Sequence, residues 1–508
     1  MTFQDMLYGS EVLSQSGNPS VTGLDYDSRR IKPGHVFIAM KGETSDGNAF
    51  IDKAIAAGAV AIVTDSAVPI AREGVAWAHV PHGRRALAKL SANFYKHPAE
   101  KLAITGVTGT NGKSTTTFLL ESILIAAGRK SALVGTIEYH VAGQILPAPH
   151  TTPEALELNR ILRDALGNGA TEAVTEVSSH ALAQDRVYGI PFDVGVFTNL
   201  TRDHLDYHGT MEEYFAAKQI LFTGCGTEPP RVAVINLDDP SSSQLLKLSK
   251  TKQSQILTYG WSQGDFHAAK VEITAGGTRF DLCTGSERIP IWSPLIGKVN
   301  VYNILAAASA ASARNCDRKS IETGVAALAR VPGRFERVDC GQHFSIIVDY
   351  AHTDDALRNL TALAREFVSR GPRPAKVITL FGCGGDRDRT KRPLMGEAAG
   401  KGSDFVVLTS DNPRSEDPRA IINDALVGLQ RTGTKYKVEP DRKAAIAIAI
   451  EEASPGDIVL LAGKGHEKLQ VLRDGPVPFD DVQVAREVLA SAGYDCTSAQ
   501  AKTVGTGR

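Results

Sequence analysis

Ten residues, GVTGTNGKST from Gly106 to Thr115, constrain this chain more than any others. They stand between a short apolar run at 102–107 and a run of helical character at 114–127. A glycine-rich turn between strand and helix aims successive backbone N–H groups at phosphate oxygens, and the helix N-terminus adds its partial positive charge. Lys113 would neutralise the β- and γ-phosphates, and the Ser114 hydroxyl would ligate Mg²⁺. The strict P-loop pattern has Gly five positions before Gly112, but position 107 is Val, and the glycines stand at 106 and 109. ATP or GTP binding follows, while the use of the nucleotide stays open.

The surrounding pattern sets the fold class. Short runs rich in Val and Ile at 102–107, 132–137, 173–177, 194–200 and 232–237 read as parallel strands covered on both faces. Helical stretches at 114–127, 153–167 and 211–222 alternate with them, the second with Thr152 as N-cap and Pro153 at the first helical position. This alternation predicts a doubly wound α/β sheet. A second such set follows 332, with strands at 345–349, 376–381, 405–409 and 458–462. A smaller one precedes 101, with strands near 35–40, 60–63 and 75–80. The stretch 261–294, with alternating short strands and Gly-Gly or Gly-Ser turns, reads as a β extension of the middle unit.

Length supports this division: at roughly 150 residues per domain, 508 residues imply about three. We expect an N-terminal domain at 1–98, a central one at 99–332, a C-terminal one at 333–495 and a tail at 496–508, frayed from Thr497 onward. Lys plus Arg number 56 against 57 Asp plus Glu, which argues against a partner held by bulk charge, such as nucleic acid. Six dispersed cysteines without CxxC spacing read as buried or free thiols in a reducing compartment. No stretch approaches a membrane span and no signal-type leader opens the chain, so a soluble cytoplasmic protein is expected.

The loop's wording, GTNGKS at 109–114, resembles that of the Mur ligases and their folylpolyglutamate synthase relatives. Further motifs follow in the family's order: DSR at 27–29, HTTPE at 150–154, EVSSH at 176–180, TNLTRDHLD at 198–206, PGRFE at 332–336, DYAH at 349–352, DNPR at 411–414 and GKGHE at 463–467. They are most similar to the members that extend a UDP-N-acetylmuramoyl-dipeptide by a third amino acid. The resemblance implies a three-domain α/β architecture: a small N-terminal α/β domain, a central P-loop-type doubly wound sheet and a Rossmann-like C-terminal domain. It also implies ATP-dependent amide formation through an acyl phosphate.

The chemistry explains the residue types. A carboxylate must be activated before an amine can attack it, and bringing it to the γ-phosphate means bringing two anions together. Divalent cations with hard oxygen ligands meet that need. By resemblance, Glu176, His204 and Lys218 join Ser114 at the Mg²⁺ ions, with Lys218 carbamylated by CO₂, and Lys113 completes the catalytic set. Taken alone, Glu176 could be a cap, His204 a core histidine and Lys218 a solvated lysine. ATP would meet Gly109, Thr110, Asn111, Gly112, Lys113, Ser114, Thr115, Asn303, Arg334 and Asp349. The UDP-sugar-peptide would meet Ser28, Glu43, Thr44, Ser45, Thr151, Thr152, Ser178, Gln184 and Arg186.

The incoming amino acid should sit at the carboxyl ends of the strands at 405–409 and 458–462, read here as neighbours. Arg414 offers a fork to a distal carboxylate, which meso-diaminopimelate has and L-lysine lacks. By resemblance, DNPR marks the diaminopimelate-adding members. Arg387 would hold the other carboxylate and Glu467 the distal ammonium, with Asp411, Asn412, Pro413 and Gly463 around them. The expected partners are UDP-N-acetylmuramoyl-L-alanyl-D-glutamate, ATP and meso-diaminopimelate, with the protein a monomer. The alternatives are an L-lysine-adding relative, a folylpolyglutamate synthase-type ligase, and a P-loop switch that ligates nothing and could dispense with Glu176, His204 and Lys218.

Overall fold

A computed structural model describes residues 1–42, 45–66, 72–141, 143–274, 276–285, 287–369 and 374–496. The tail expected to fray, 497–508, lies outside them. Three main sheets of five, eleven and six strands follow one another along the chain.

The eleven-stranded sheet positions the phosphate loop. Its centre runs Val232–Asn236, Phe192–Phe197, Ala103–Thr108, Glu172–Glu176 and Ser131–Val134, all parallel. Near-continuous burial of these strands is what lets helices cover both faces. Lys113–Ala126 and Lys298–Ala313 pack on one face through Leu119, Leu120, Ile304 and Leu305. Ala155–Gly167 and Met211–Thr223 cover the other through Leu158, Leu162, Leu221 and Phe222. Each such fully buried side chain contributes about 1.5–3 kcal/mol. After the strand Ala103–Thr108 the chain visits one side of it and then crosses to Phe192–Phe197 on the other. The phosphate loop thus opens at the point where strand order reverses, where α/β sheets bind ligands. The strands Phe266–Thr274, Gly277–Thr284 and Glu287–Ser293 extend the sheet at one edge, as the turn-rich stretch suggested. A hairpin at the other edge, Glu138–Val141 with Gln144–Pro147, was not anticipated.

The five-stranded sheet is parallel apart from its edge strand Ser14–Ser16. The six-stranded sheet runs Glu336–Val338, Ser345–Asp349, Ile458–Ala462, Val377–Phe381, Phe405–Leu408 and Lys435–Val438, with only the first strand antiparallel.

Three expectations are corrected. Phe405–Leu408 and Ile458–Ala462 are not neighbours, because Val377–Phe381 lies between them and adds its own loop to the ligand edge. The helix expected from Pro153 starts at Ala155 with Glu154 at the N-cap. The Thr152 hydroxyl cannot cap it, since it donates to Glu176 O at 2.7 Å and accepts from Ser178 N at 3.1 Å. Cysteines 340 and 496 form a disulfide, because the segment after the last helix, Asp481–Ser491, returns over the start of this sheet. Cys225, Cys283, Cys316 and Cys383 are free and buried.

Candidate active site

The phosphate loop is braced by the segment that follows the adjacent strand Phe192–Phe197. Thr198 Oγ1 donates to Asn111 O at 2.7 Å, Asn199 Oδ1 accepts from Asn111 N at 2.9 Å, and Thr110 N donates to Asn199 O at 2.8 Å. Gly109 has φ +148°, and a Cβ there would stand 1.9 Å from Thr198 Oγ1, so only glycine fits. Gly112, at the N-cap, turns the chain into the helix that begins Lys113, Ser114 and Thr115. Lys113 Nζ curls back to Gly109 O at 2.9 Å and Thr110 O at 2.8 Å. Asn303, on the neighbouring helix, is buried against Gly112.

Glu176 ends its strand fully buried, its carboxylate accepting from Thr136 N at 2.8 Å and Thr136 Oγ1 at 2.9 Å. Lys218 is buried on the helix Met211–Thr223, with Nζ 2.9 Å from Gly109 O and 4.2 Å from the Tyr214 ring centre. Burial, then the Lys113 cation, holds its amine well below the usual lysine range. Burial also lowers Lys113, against the pull of Glu176 and Asp203. His204 adopts a left-handed backbone, φ 55°, and packs edge-on against His180 at 4.7 Å. Burial depresses it strongly despite the adjoining Asp203 carboxylate.

Ser114, Glu176, His204 and Lys218 thus surround one loop. Hydroxyl and carboxylate oxygens suit Mg²⁺, which takes few protein ligands and fills its shell with water and phosphate oxygens. No group of three or more His, Cys, Asp and Glu is gathered for an ion among the described residues, and such a shell requires none. The Ser114 hydroxyl and the Glu176 carboxylate fit the ion, whereas Lys218, whose amine donates to Gly109 O, fits it only once converted to an anion.

Facing the five-stranded sheet, Thr151 Oγ1 lies within hydrogen-bond distance of Thr136 Oγ1 at 3.0 Å, and Ser178 caps the short helix Ser179–Ala183. Arg186 grips Gln184 Oε1 at 2.7 Å, Thr152 O at 3.0 Å and Glu154 at 3.1 Å. Glu154 also binds Arg84 at 3.0 Å, tying the N-terminal unit to this face. Ser28 is buried in its turn and Ser45 is exposed. Glu43 and Thr44 lie outside the described residues.

The six-stranded unit docks on the phosphate loop. Arg334 Nη2 donates to Ser114 Oγ at 3.2 Å, and Asn111 Nδ2 donates to Asp355 Oδ2 at 3.1 Å. Arg334 lies over the Tyr350 ring at 4.5 Å. Asp349 accepts with both carboxylate oxygens from backbone, from Phe335 N at 2.7 Å and Ala351 N at 2.8 Å. It fixes the turn that carries Arg334.

Three loops meet at the far edge of that sheet. Arg414, φ 51°, donates to Gly385 O at 2.8 Å and lies near Arg387. Burial, then the Arg387 charge, lowers its basicity. A Cβ on Gly384 would stand 3.1 Å from Arg414 Nη1 and 3.6 Å from Arg387 Cγ, so the two arginines converge across this residue. Asn412 Nδ2 donates to Glu467 Oε2 at 2.8 Å. Gly463 abuts Asp411, and Pro413 completes its loop against Gly385. A fully buried ion pair, Arg442 with Asp481 at 2.6 Å, closes the floor, Arg442 also donating to Ala462 O at 3.0 Å. Of ten described non-glycine residues with positive φ, Asp185, His204, Phe335, Asp386 and Arg414 all sit in these loops. Such backbone persists only where its surroundings over-determine it.

Residue-by-residue reading missed Asp203. Its buried carboxylate lies 3.4 Å from His204, 3.5 Å from His352 and 3.6 Å from Lys391, joining the central and C-terminal units. Burial raises its pKa, but the hydrogen bond from His352 and the charges of His204, His352 and Lys391 hold it well below the carboxylate range. The sequence signal was its place inside the motif at 198–206, where His204 alone was given a role.

Comparison with known proteins gives the same frame. The Mur ligase middle domain matches residues 107–311, the Mur ligase glutamate ligase domain 333–465, and the Mur ligase family catalytic domain 20–95. A UDP-N-acetylmuramoyl-L-alanyl-D-glutamate--2,6-diaminopimelate ligase of Solibacter usitatus (strain Ellin6076) is 55% identical over 94% of this chain and 95% of its own length. One of the same description from Geobacillus thermodenitrificans (strain NG80-2) is 46% identical over 93% and 95%. A solved structure of a ligase so described is 34% identical, with a TM-score of 0.67, covering 97% of this chain and 99% of that one.

Proposed function

The chain belongs to the Mur ligase family of ATP-dependent amide-bond-forming ligases, and from that premise we propose that it adds meso-2,6-diaminopimelate to UDP-N-acetylmuramoyl-L-alanyl-D-glutamate in peptidoglycan precursor synthesis. The D-glutamyl carboxylate attacks the γ-phosphorus of ATP, ADP leaves, and an acyl phosphate forms. The diaminopimelate amine then attacks the acyl carbon, phosphate leaves, and the amine gives up a proton. Positioning and charge neutralisation carry such a transfer.

Lys113 and the loop N–H groups hold the β- and γ-phosphates, and Asn303 lines the nucleoside side. Arg334 reaches the same phosphates from the docked C-terminal unit, oriented by Asp349 and Tyr350. Ser114, Glu176, His204 and a carbamylated Lys218 would hold Mg²⁺, which supplies electrophilic neutralisation of the two anions. A buried amine biased to its neutral form is the species that adds CO₂, forming an N–C bond and releasing a proton, which supports Lys218 in this role. Ser28, Glu43, Thr44, Ser45, Thr151, Thr152, Ser178, Gln184 and Arg186 would meet the UDP-sugar-peptide.

The observation that carries the amino-acid assignment is the convergence of Arg387 and Arg414 across Gly384, with Glu467 and Asp411 nearby. Two guanidiniums suit a ligand with two carboxylates, and without the distal one a fork would be left unpaired. Asp411, Asn412, Pro413 and Gly463 shape the remainder.

The same proposal includes working boundaries at 98 and 332, supported by the gaps between the three sheets, a further one at 495, just before the Cys496 that is bonded to Cys340, and a monomer in the cytoplasm. No helix among the described residues is long and apolar enough to cross a membrane. Mass spectrometry of a reaction with ATP, the UDP-dipeptide and diaminopimelate tests the function: a product heavier by one diaminopimelate residue is expected, and its absence overturns the assignment.

A further inference from the structure

Lys464 is fully buried in the GKGHE loop, and its three N–H donors are all spent: on Asn412 Oδ1 at 3.1 Å, Glu467 Oε2 at 3.0 Å and Leu469 O at 2.7 Å. Lysine is almost never fully buried unless paired, and a buried cation held by one chain of acceptors marks a site that depends on it. Asn412 closes the ring by donating from Nδ2 to the same Glu467 Oε2 at 2.8 Å, while its Oδ1 also accepts from Val471 N at 2.9 Å. The hairpin Leu469–Leu472 with Gly475–Pro478 is drawn over both loops, Gln470 Nε2 donating to Asp411 O at 2.7 Å and Arg414 N to Val471 O at 3.0 Å. Two donors on Oε2 leave Oε1 as the Glu467 oxygen without a hydrogen-bond partner among the described residues.

We infer that Lys464 is a positioning residue for the amino-acid substrate. It locks Asn412 and Glu467 into one arrangement and reserves a single carboxylate oxygen, Glu467 Oε1, for the substrate's distal ammonium. It also neutralises part of the Glu467 charge, so the pocket discriminates by placement of that oxygen rather than by bulk negative charge. Removing the ammonium frees Glu467 to rotate and leaves Asn412 Oδ1 and Leu469 O short of a donor. The inference rests on the assignment of this pocket to diaminopimelate.

Lys464→Met keeps the length of the side chain and removes the cation. In steady-state assays with the full chain, the KM for diaminopimelate should rise roughly tenfold or more, the loss expected for hydrogen bonds to a charged group. The KM values for ATP and the UDP-dipeptide should hold within about twofold. Because Lys464 acts through Glu467, the double variant with Glu467→Gln should be hardly worse than Glu467→Gln alone, a non-additivity that a merely structural lysine would not give. Should Lys464→Met not fold, Lys464→Gln, which retains an N–H donor, carries the same comparison with a smaller rise. An unchanged KM for diaminopimelate, a parallel rise for all three substrates, or multiplying effects in the double variant would overturn it. A wild-type enzyme indifferent to diaminopimelate overturns the pocket assignment as well, whereas a responsive wild type with an unaffected variant overturns this inference alone.

Discussion

Arg334 and Ser114 stand 220 residues apart in the chain, yet the guanidinium of one donates to the hydroxyl of the other at 3.2 Å. The C-terminal unit therefore supplies a cation to the first turn of the phosphate-loop helix. A donor aimed at developing phosphate charge is worth about 10²–10³-fold in turnover. Arg334→Ala should lower kcat by that order with the melting temperature nearly unchanged. Arg334→Lys should recover little of it, because the planar guanidinium lies on the Tyr350 ring at 4.5 Å. Steady-state kinetics check both, and an unchanged kcat would remove Arg334 from the phosphate site.

Asp203 draws His204, His352 and Lys391 together across the same junction. Asp203→Asn keeps the shape but removes the charge, leaving Lys391 without its counter-ion. Turnover should fall more than tenfold, and stability by about 1–3 kcal/mol. Denaturant melts alongside the kinetics read the two effects, and wild-type behaviour in both would reduce Asp203 to a bystander.

Lys218 should answer to CO₂. Preparation and assay in buffer stripped of bicarbonate should depress turnover, and adding bicarbonate should restore it. Lys218→Ala should be inactive at every bicarbonate concentration. Indifference of the wild type to bicarbonate contradicts the modification.

His140 gives the fold a pH dependence far from the chemistry. Its Nδ1 lies 2.6 Å from Glu121 and its Nε2 3.0 Å from Glu138. Burial opposes the charged ring, but hydrogen bonds and charge from the two carboxylates outweigh it and raise the pKa from 6.5 to about 9. A folded-state value above the unfolded one means that protonation stabilises the fold. That stability is complete below about pH 6.5 and is lost as pH rises through about 9. Melting temperature should therefore fall over this window, and less steeply in His140→Gln; identical slopes would contradict the pairing.

Much of the fold was legible because burial on both faces writes itself as apolar runs: Ser345–Asp349 and Ile458–Ala462 match their sequence limits. Lys113 stood out because a glycine-rich turn between strand and helix is a local feature, whereas Glu176, His204 and Lys218 were singled out only through the family resemblance. Contacts between units were not legible. Nothing near Asp203 in the chain announces Lys391, nor does Cys340 announce Cys496. Thr152 was read as a helix cap from its neighbours, whereas its hydroxyl is spent on Glu176 O and Ser178 N, more than twenty residues away. The order of the C-terminal strands is equally non-local, which is why Val377–Phe381 was not placed between its neighbours.

Phosphate release tests the central claim most directly. With ATP and UDP-N-acetylmuramoyl-L-alanyl-D-glutamate present, meso-diaminopimelate should accelerate release strongly, while L-lysine should leave it near the rate without an amino acid. Arg414→Lys should abolish the diaminopimelate response. Acceleration by lysine and not by diaminopimelate would contradict the reading of Arg387 and Arg414.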